Sequence, residues 1–169
     1  MDTSRTMITF RSAEMRFTYR IGGILIHREH VLCQAATREN FWFLPGGRAE
    51  LGESATVTLL REMQEELGVT VKIERLLYIV ENFFTDTHSS SHELGLYFLM
   101  TAPADSYLYQ SLETFTHIDE VGDQLCFDWL PIAQLTDLPL YPPFFQNALQ
   151  KIPEQTMHIV EHRSRREQG

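Results

Sequence analysis

The sequence predicts an α/β layered domain, and three features carry that expectation: apolar, β-branched runs ahead of Pro45, one amphipathic helix after a glycine-rich turn, and later apolar runs followed by a short helical segment. Strands on both sides of a helix in chain order suit a sheet covered by helices. With 169 residues, 43% of them hydrophobic, the chain has enough apolar material for a sizeable core, and one domain over residues 1–169 is expected.

Phe17–Ile26 is apolar and β-branched, Arg28-Glu29-His30 reads as a turn, and Val31–Gln34 resumes the pattern, so a hairpin is expected. Phe41–Leu44 is a short apolar run that Pro45-Gly46-Gly47 should stop. Ser54–Leu67 reads as a helix with Val57, Leu60, Met63, Gln64 and Leu67 near the helical repeat and Leu59 widening the stripe. Ser54 can cap its start, and Gly68 is placed to end it.

Val69–Phe84 and Glu93–Thr101 predict two long strands joined by a polar loop, Thr85–His92. Ala102–Gln124 is mostly polar and reads as a long loop, and Leu125–Leu130 as a short strand. Pro131–Leu135 predicts one helical turn and Pro143–Ile152 a helix, with His158–Gly169 a polar tail free to fray. No repeat, low-complexity tract or linker divides the chain.

A formal charge of -9 argues against gripping long nucleic acid, which requires many Lys and Arg against phosphates. A small phosphorylated ligand stays compatible, because a divalent metal can supply the local positive charge. Cys33 and Cys126 lie in apolar surroundings without CxxC spacing, so buried reduced thiols are expected. Met1–Arg11 lacks an apolar core with a cleavage site, and no run reaches the roughly 18 apolar residues of a membrane span, so a cytoplasmic address and no membrane partner are expected.

Polar residues of the central helix are unevenly placed. At about 100° per residue, Glu66 lies about 40° around the helix from Glu62 and Glu65 about 60° to its other side, so three carboxylates crowd one sector. Like charges at this spacing destabilise a helix, and its C-terminal end disfavours them further. A compensating cation is expected. Arg61 offsets part of the charge, and a cluster of hard oxygen ligands is also what Mg²⁺ or Mn²⁺ requires. Gly46-Gly47 leaves the backbone unobstructed just before the helix, so a carbonyl there can approach the same ion.

The segment Gly47–Val69 resembles the signature of the Nudix (MutT-like) hydrolase family, Gly-x5-Glu-x7-Arg-Glu-U-x-Glu-Glu-x-Gly-U with U bulky and apolar. Gly47, Glu53, Arg61, Glu62, Glu65, Glu66 and Gly68 fill the invariant places, and Met63 and Val69 the apolar ones. Leu44-Pro45-Gly46 and Phe127-Asp128-Trp129-Leu130-Pro131 also look like the family. The resemblance implies an α/β/α sandwich with a mixed β-sheet, and hydrolysis of a phosphoanhydride in a nucleoside diphosphate linked to another moiety, such as a nucleoside triphosphate or a nucleotide sugar. Glu62, Glu65 and Glu66 would bind Mg²⁺ or Mn²⁺, with the Gly46 carbonyl completing the sphere. Glu53 would support the cluster from the helix start, and Arg61 would orient the glutamates. Glu62 is the first choice of general base, with Glu120 on the later loop the outside candidate.

Arg20 and Arg48 are candidates for substrate phosphates, and Trp42, Phe83 and Phe84 either stack on a nucleobase or pack in the core. His88 and His92 belong either to the cleft or to a solvated loop, and Arg163-Ser-Arg165-Arg166 reads as a solvated terminus. Beyond Val69 the proline expected for an ADP-ribose hydrolase and the tyrosine expected for a dinucleoside polyphosphate hydrolase are both absent. A homodimer is compatible with the family, and a silent nucleotide sensor on the same fold is the alternative function.

Overall fold

The computed structural model describes residues 5–36, 40–85, 90–118 and 124–163. In chain order they form β1 (Thr9–Ser12), β2 (Met15–His27), β3 (His30–Ala36), β4 (Trp42–Phe43), β5 (Gly46–Arg48), helix α1 (Ala55–Leu67), β6 (Lys72–Thr85), β7 (Ser90–Thr101), β8 (Phe115–Ile118), β9 (Gln124–Pro131), β10 (Leu140–Tyr141), helix α2 (Phe144–Ala148) and β11 (Met157–Arg163). Short 3₁₀ turns cover Tyr107–Tyr109 and Ile132–Asp137.

β2 is the hub of a mixed sheet. It runs parallel to β7, from Met15↔Ser90 to Leu25↔Met100, and antiparallel to β1, β5 and the start of β3. The β2–β3 turn is tight because Arg28 (φ 46°) and Glu29 (φ 62°) both adopt the left-handed conformation that matches a right-twisted hairpin. β6 and β7 form a long hairpin, and β11 adds to the outer side of β6 in parallel. The order β10-β4-β3-β2-β7-β6-β11 results, with β9 beside β3 and β8 beside β9.

Alternation along the strands divides the core into two layers. Ile21 and Leu25 of β2, with Phe98 and Met100 of β7, pack under Leu59, Met63 and Leu67 of α1. Ile24, Tyr78, Val80 and Tyr97 point the other way, onto Leu135, Phe145 and Leu149. A mixed sheet with few helices, on both of its faces, matches the expected fold class.

Several local expectations need correction. The buried stripe of α1 is Thr58, Leu59, Met63 and Leu67, whereas Val57 (50% exposed) and Leu60 (37%) face outward. An i, i+4, i+8 line through Leu59 is enough to seat the helix on a flat sheet. Gly46-Gly47 does not end β structure but pairs with β2 as β5. β7 begins at Ser90, so His92 sits within a strand and not in a loop. The long polar stretch contains the 3₁₀ turn at Tyr107 and β8, and the helix expected over Pro143–Ile152 shortens to Phe144–Ala148.

The largest correction concerns the C-terminal region. Met157–Arg163 is strand β11, in register with Tyr78–Phe84, because β6 offers an open edge and the chain is anchored as it arrives. Arg75 donates to the carbonyls of Pro153 and Glu154, Thr156 Oγ1 donates to Leu76 O at 2.8 Å, and His158 Nε2 meets Glu81 Oε1 at 2.7 Å. Alternating exposure along β11 gives the strand a polar, weakly patterned sequence that reads as a tail.

Candidate active site

Local chemistry fixes α1 where the sequence expects it. Ser54 Oγ accepts from Val57 N at 3.3 Å, and Gly68 (φ 64°) closes the helix with its N–H on Gln64 O at 3.0 Å. The loop ahead of it is pinned by β5–β2 pairing, which brings Gly47 under Glu62. A Cβ at Gly47 would overlap the carboxyl carbon and both oxygens of Glu62, so a larger residue there would push that carboxylate out of its place.

Arg61 gathers the carboxylates. Its Nε and Nη2 donate to the two oxygens of Glu53 at 3.0 and 3.1 Å, a forked pair, and its Nη1 reaches Glu62 Oε1 at 2.7 Å and Glu65 Oε2 at 3.2 Å. Arg61 Nη2 also donates to Arg48 O at 3.3 Å and lies 3.6 Å from Glu50 Oε1. Arg5 Nη1 meets Glu65 Oε1 at 2.5 Å. Burial works against the charge of Arg61, but its hydrogen bonds to Glu53 and Glu62 outweigh that and hold the guanidinium firmly protonated.

The carboxylates differ in their proton affinity. Burial pushes Glu62 above the ordinary carboxylate range, with Arg61 opposing this and Glu65 adding to it, while Arg20 also lowers it. Glu53 is held below that range, chiefly by its hydrogen bonds from Arg61 and with help from Thr58 Oγ1 at 2.9 Å, against some burial. Two carboxylates on the same guanidinium are thus pushed in opposite directions, Glu62 upward by burial and Glu53 downward by its hydrogen bonds from Arg61.

Among the described residues, no set of three or more Asp, Glu, His or Cys converges as a ready metal cage. Glu62 and Glu65 are instead shared with Arg61, and the Gly46 carbonyl accepts from Gln34 Nε2 at 3.3 Å. The donors nonetheless fit a hard divalent cation in kind, because all are carboxylate or carbonyl oxygens on one helix sector and the loop beside it.

Of the remaining candidates, Arg20 lies beside the cluster, donating to Leu44 O at 3.1 Å with its guanidinium 5.5 Å from the Phe43 ring centre. Arg48 pairs with Arg20 in strand register, but its side chain is exposed and touches Met7 Sδ at 3.7 Å. Phe84 lies away from the glutamates, under Arg163 at 5.5 Å. Trp42 packs against the second core layer, and Phe83 stacks between His92 (4.3 Å) and His162 (4.7 Å). Glu120 and His88 lie outside the described residues. Sequence reasoning missed Glu50, Gln34 and Arg5. Glu50 falls at an unspecified position of the signature, and the other two reach the site only through the fold.

A glycine-seated carboxylate helix on a mixed sheet, with Arg61 at the centre of its glutamates, fits a pyrophosphohydrolase. The NUDIX domain model matches residues 17–151, and the chain belongs to the Nudix family. It is 26% identical over 129 residues to the Nudix hydrolase YvcI of Bacillus subtilis, covering 76% of this chain and 75% of that protein. It is 46% identical over 48 residues to an 8-oxo-dGTP diphosphatase of Proteus vulgaris, a match spanning 28% of this chain and 43% of that one. In fold it resembles the MutT protein of Bacillus halodurans, with a TM-score of 0.60 at 22% identity, covering 88% of this chain and 92% of the other.

Proposed function

We propose that this Nudix pyrophosphohydrolase uses Mg²⁺ or Mn²⁺ to cut a phosphoanhydride in a nucleoside diphosphate linked to another moiety, such as a nucleoside triphosphate or a nucleotide sugar. The observation that carries the reading is the Glu62 carboxylate seated over Gly47 and tied through Arg61 to Glu53 and Glu65. Glu62, Glu65 and Glu66, with the Gly46 carbonyl, would hold the cation. A cation held there would supply Lewis-acid polarisation of the phosphoanhydride and would acidify water beside it.

The chain's own groups have distinct tasks. Glu62 takes a proton from the attacking water, and because Oε1 engages Arg61, Oε2 is the accepting atom. Arg61 and Glu53 keep the helix glutamates aimed at one sector, and Arg20 offers its guanidinium to substrate phosphate from the β2 side. The substrate is a small molecule. Among the described residues, no helix is long and apolar enough to cross a membrane.

The test is product identity from a nucleotide and nucleotide-sugar panel with Mg²⁺, with Mn²⁺ and with EDTA, repeated for Glu62→Gln and Glu66→Gln. The wild type should turn over at least one substrate only with metal, and Glu62→Gln should lose about 10²–10⁴ in kcat. Tight ligand binding without turnover under any metal would replace this reading with a sensor.

A further inference from the structure

Away from the glutamate helix, the sheet ends in a second concavity. A cavity of about 450 Å³ is lined by residues that include Phe83, Phe84, Ser91, His162 and Arg163, with no Asp or Glu among the described residues lining it. Strand register sets Arg16 (β2), Ser91 (β7), Phe84 (β6) and Arg163 (β11) in one row, and alternation gives them the same face.

Three polar atoms of this row are buried without a hydrogen-bond partner among the described residues: Ser91 Oγ, Arg163 Nε and Arg16 Nε. Ser91 is only 4% exposed. An unsatisfied buried polar group costs about 1–3 kcal/mol, and more when charged, so Ser91 and Arg163, which line the cavity, mark a place for a ligand, with Arg16 beside Ser91 in strand register. All three are donors or can donate, and what they lack is acceptor oxygen. Arg163 is already oriented, with its guanidinium 4.8 Å from the Tyr141 ring centre and 5.5 Å from that of Phe84, and with Nη2 donating to Asn82 Oδ1 at 3.3 Å. On the next row inward the same face carries Glu93 and Glu161, which confine an anion to the outer row.

We propose that this cavity binds a phosphate-class oxyanion, held by Arg163 and Ser91, with the Arg16 charge next to Ser91 in the row adding attraction. Arg16, the register partner of Ser91, lies four residues from Arg20 on β2, about 13 Å of strand, so the cavity is distinct from the glutamate cluster yet within the length of a nucleotide conjugate. The oxyanion is either the far charged group of the substrate, which rests on the hydrolase reading above, or a free phosphate acting as a separate ligand.

Calorimetric titration with inorganic phosphate in EDTA isolates the cavity, because without metal the glutamates repel an anion. The wild type should bind saturably, and Arg163→Gln and Ser91→Ala should each weaken binding by about tenfold or more. Ser91→Ala removes a single hydroxyl, so it answers the question even if Arg163→Gln loosens β11. Absence of saturable binding, or undiminished binding by both folded variants, overturns the proposal whether or not the protein hydrolyses anything. A second measurement separates the two sources. Phosphate that raises KM in the wild type but not in Arg163→Gln identifies the substrate's far end. Phosphate that binds with KM unchanged identifies a free ligand.

Discussion

The carboxylate loop and helix, Gly46–Gly68, and the C-terminal strand, Met157–Arg163, contribute to one sheet-based molecule by opposite means. The first is fixed by short-range chemistry: a capping serine, a left-handed glycine, and an arginine clasped by glutamates within a dozen or so residues of it. The second depends on contacts across the chain, from Arg75 to Pro153, Thr156 to Leu76 and His158 to Glu81. The comparison teaches that chemistry here is locally encoded, while the far wall of the molecule is assembled by topology. Substitutions in the first region should change rate with the fold intact, and those in the second should change stability.

Gly47→Ala is the sharpest test of the local region. The added methyl occupies the space of the Glu62 carboxylate, while the β5–β2 backbone pairing needs no glycine there. Misplacing a reacting group by about 1 Å costs on the order of 10²-fold, so kcat should fall by about that factor with the melting temperature nearly unchanged. Full activity in Gly47→Ala would sink the role given to Glu62.

Ile159→Ala tests the opposite region. Ile159 is the partly buried residue with which β11 reaches the second core layer. Because the site is not fully enclosed, its loss should cost about 1–3 kcal/mol, at the low end for such truncations, and should be read by denaturant unfolding. The kcat of the remaining folded enzyme should hold. Unchanged stability would mean that β11 is not an integral strand.

These two regions also differ in how far the sequence disclosed them. The helix, its caps and the glutamate sector follow from spacing alone, and the family signature adds the roles of Glu53 and Arg61. Burial on α1 was less legible, because Val57 and Leu60 are apolar yet exposed, and composition does not say which of two adjacent stripes meets the sheet. Strand β11 was hidden because an edge strand with polar residues on alternate positions lacks an apolar run, and its partner lies in β6, far back in the sequence. Gln34 escaped for the same reason, and Glu50 because the signature leaves its position unspecified. The place of Gln34 beside Gly46 exists only once β5 has paired with β2 and β3 has brought Gln34 up to the loop.

Ser54→Ala addresses the local region on the stability side. It removes the acceptor for Val57 N and should cost about 1 kcal/mol, measured as a shift in the unfolding midpoint. A shift as large as that of Ile159→Ala would blur the distinction between locally and topologically held structure.

The smallest expected effect concerns pH and Glu53. Its carboxyl is held below the ordinary range in the folded protein by Arg61, so folding favours the ionised form. For a depressed carboxylate, the stabilisation is complete above the unfolded value, about 4.3, and is lost as pH falls through the lower folded value. Glu53→Gln abolishes that titration but leaves Arg61 its contacts with Glu62, Glu65 and Glu50. The melting-temperature gap between wild type and Glu53→Gln should thus be widest above about pH 5 and should narrow as the pH drops below about 4. Melting curves of both proteins across that range decide the matter. A gap that stays constant with pH would mean that Glu53 acts on Arg61 by packing and not by charge, and the helix would owe its aim to the remaining carboxylates alone.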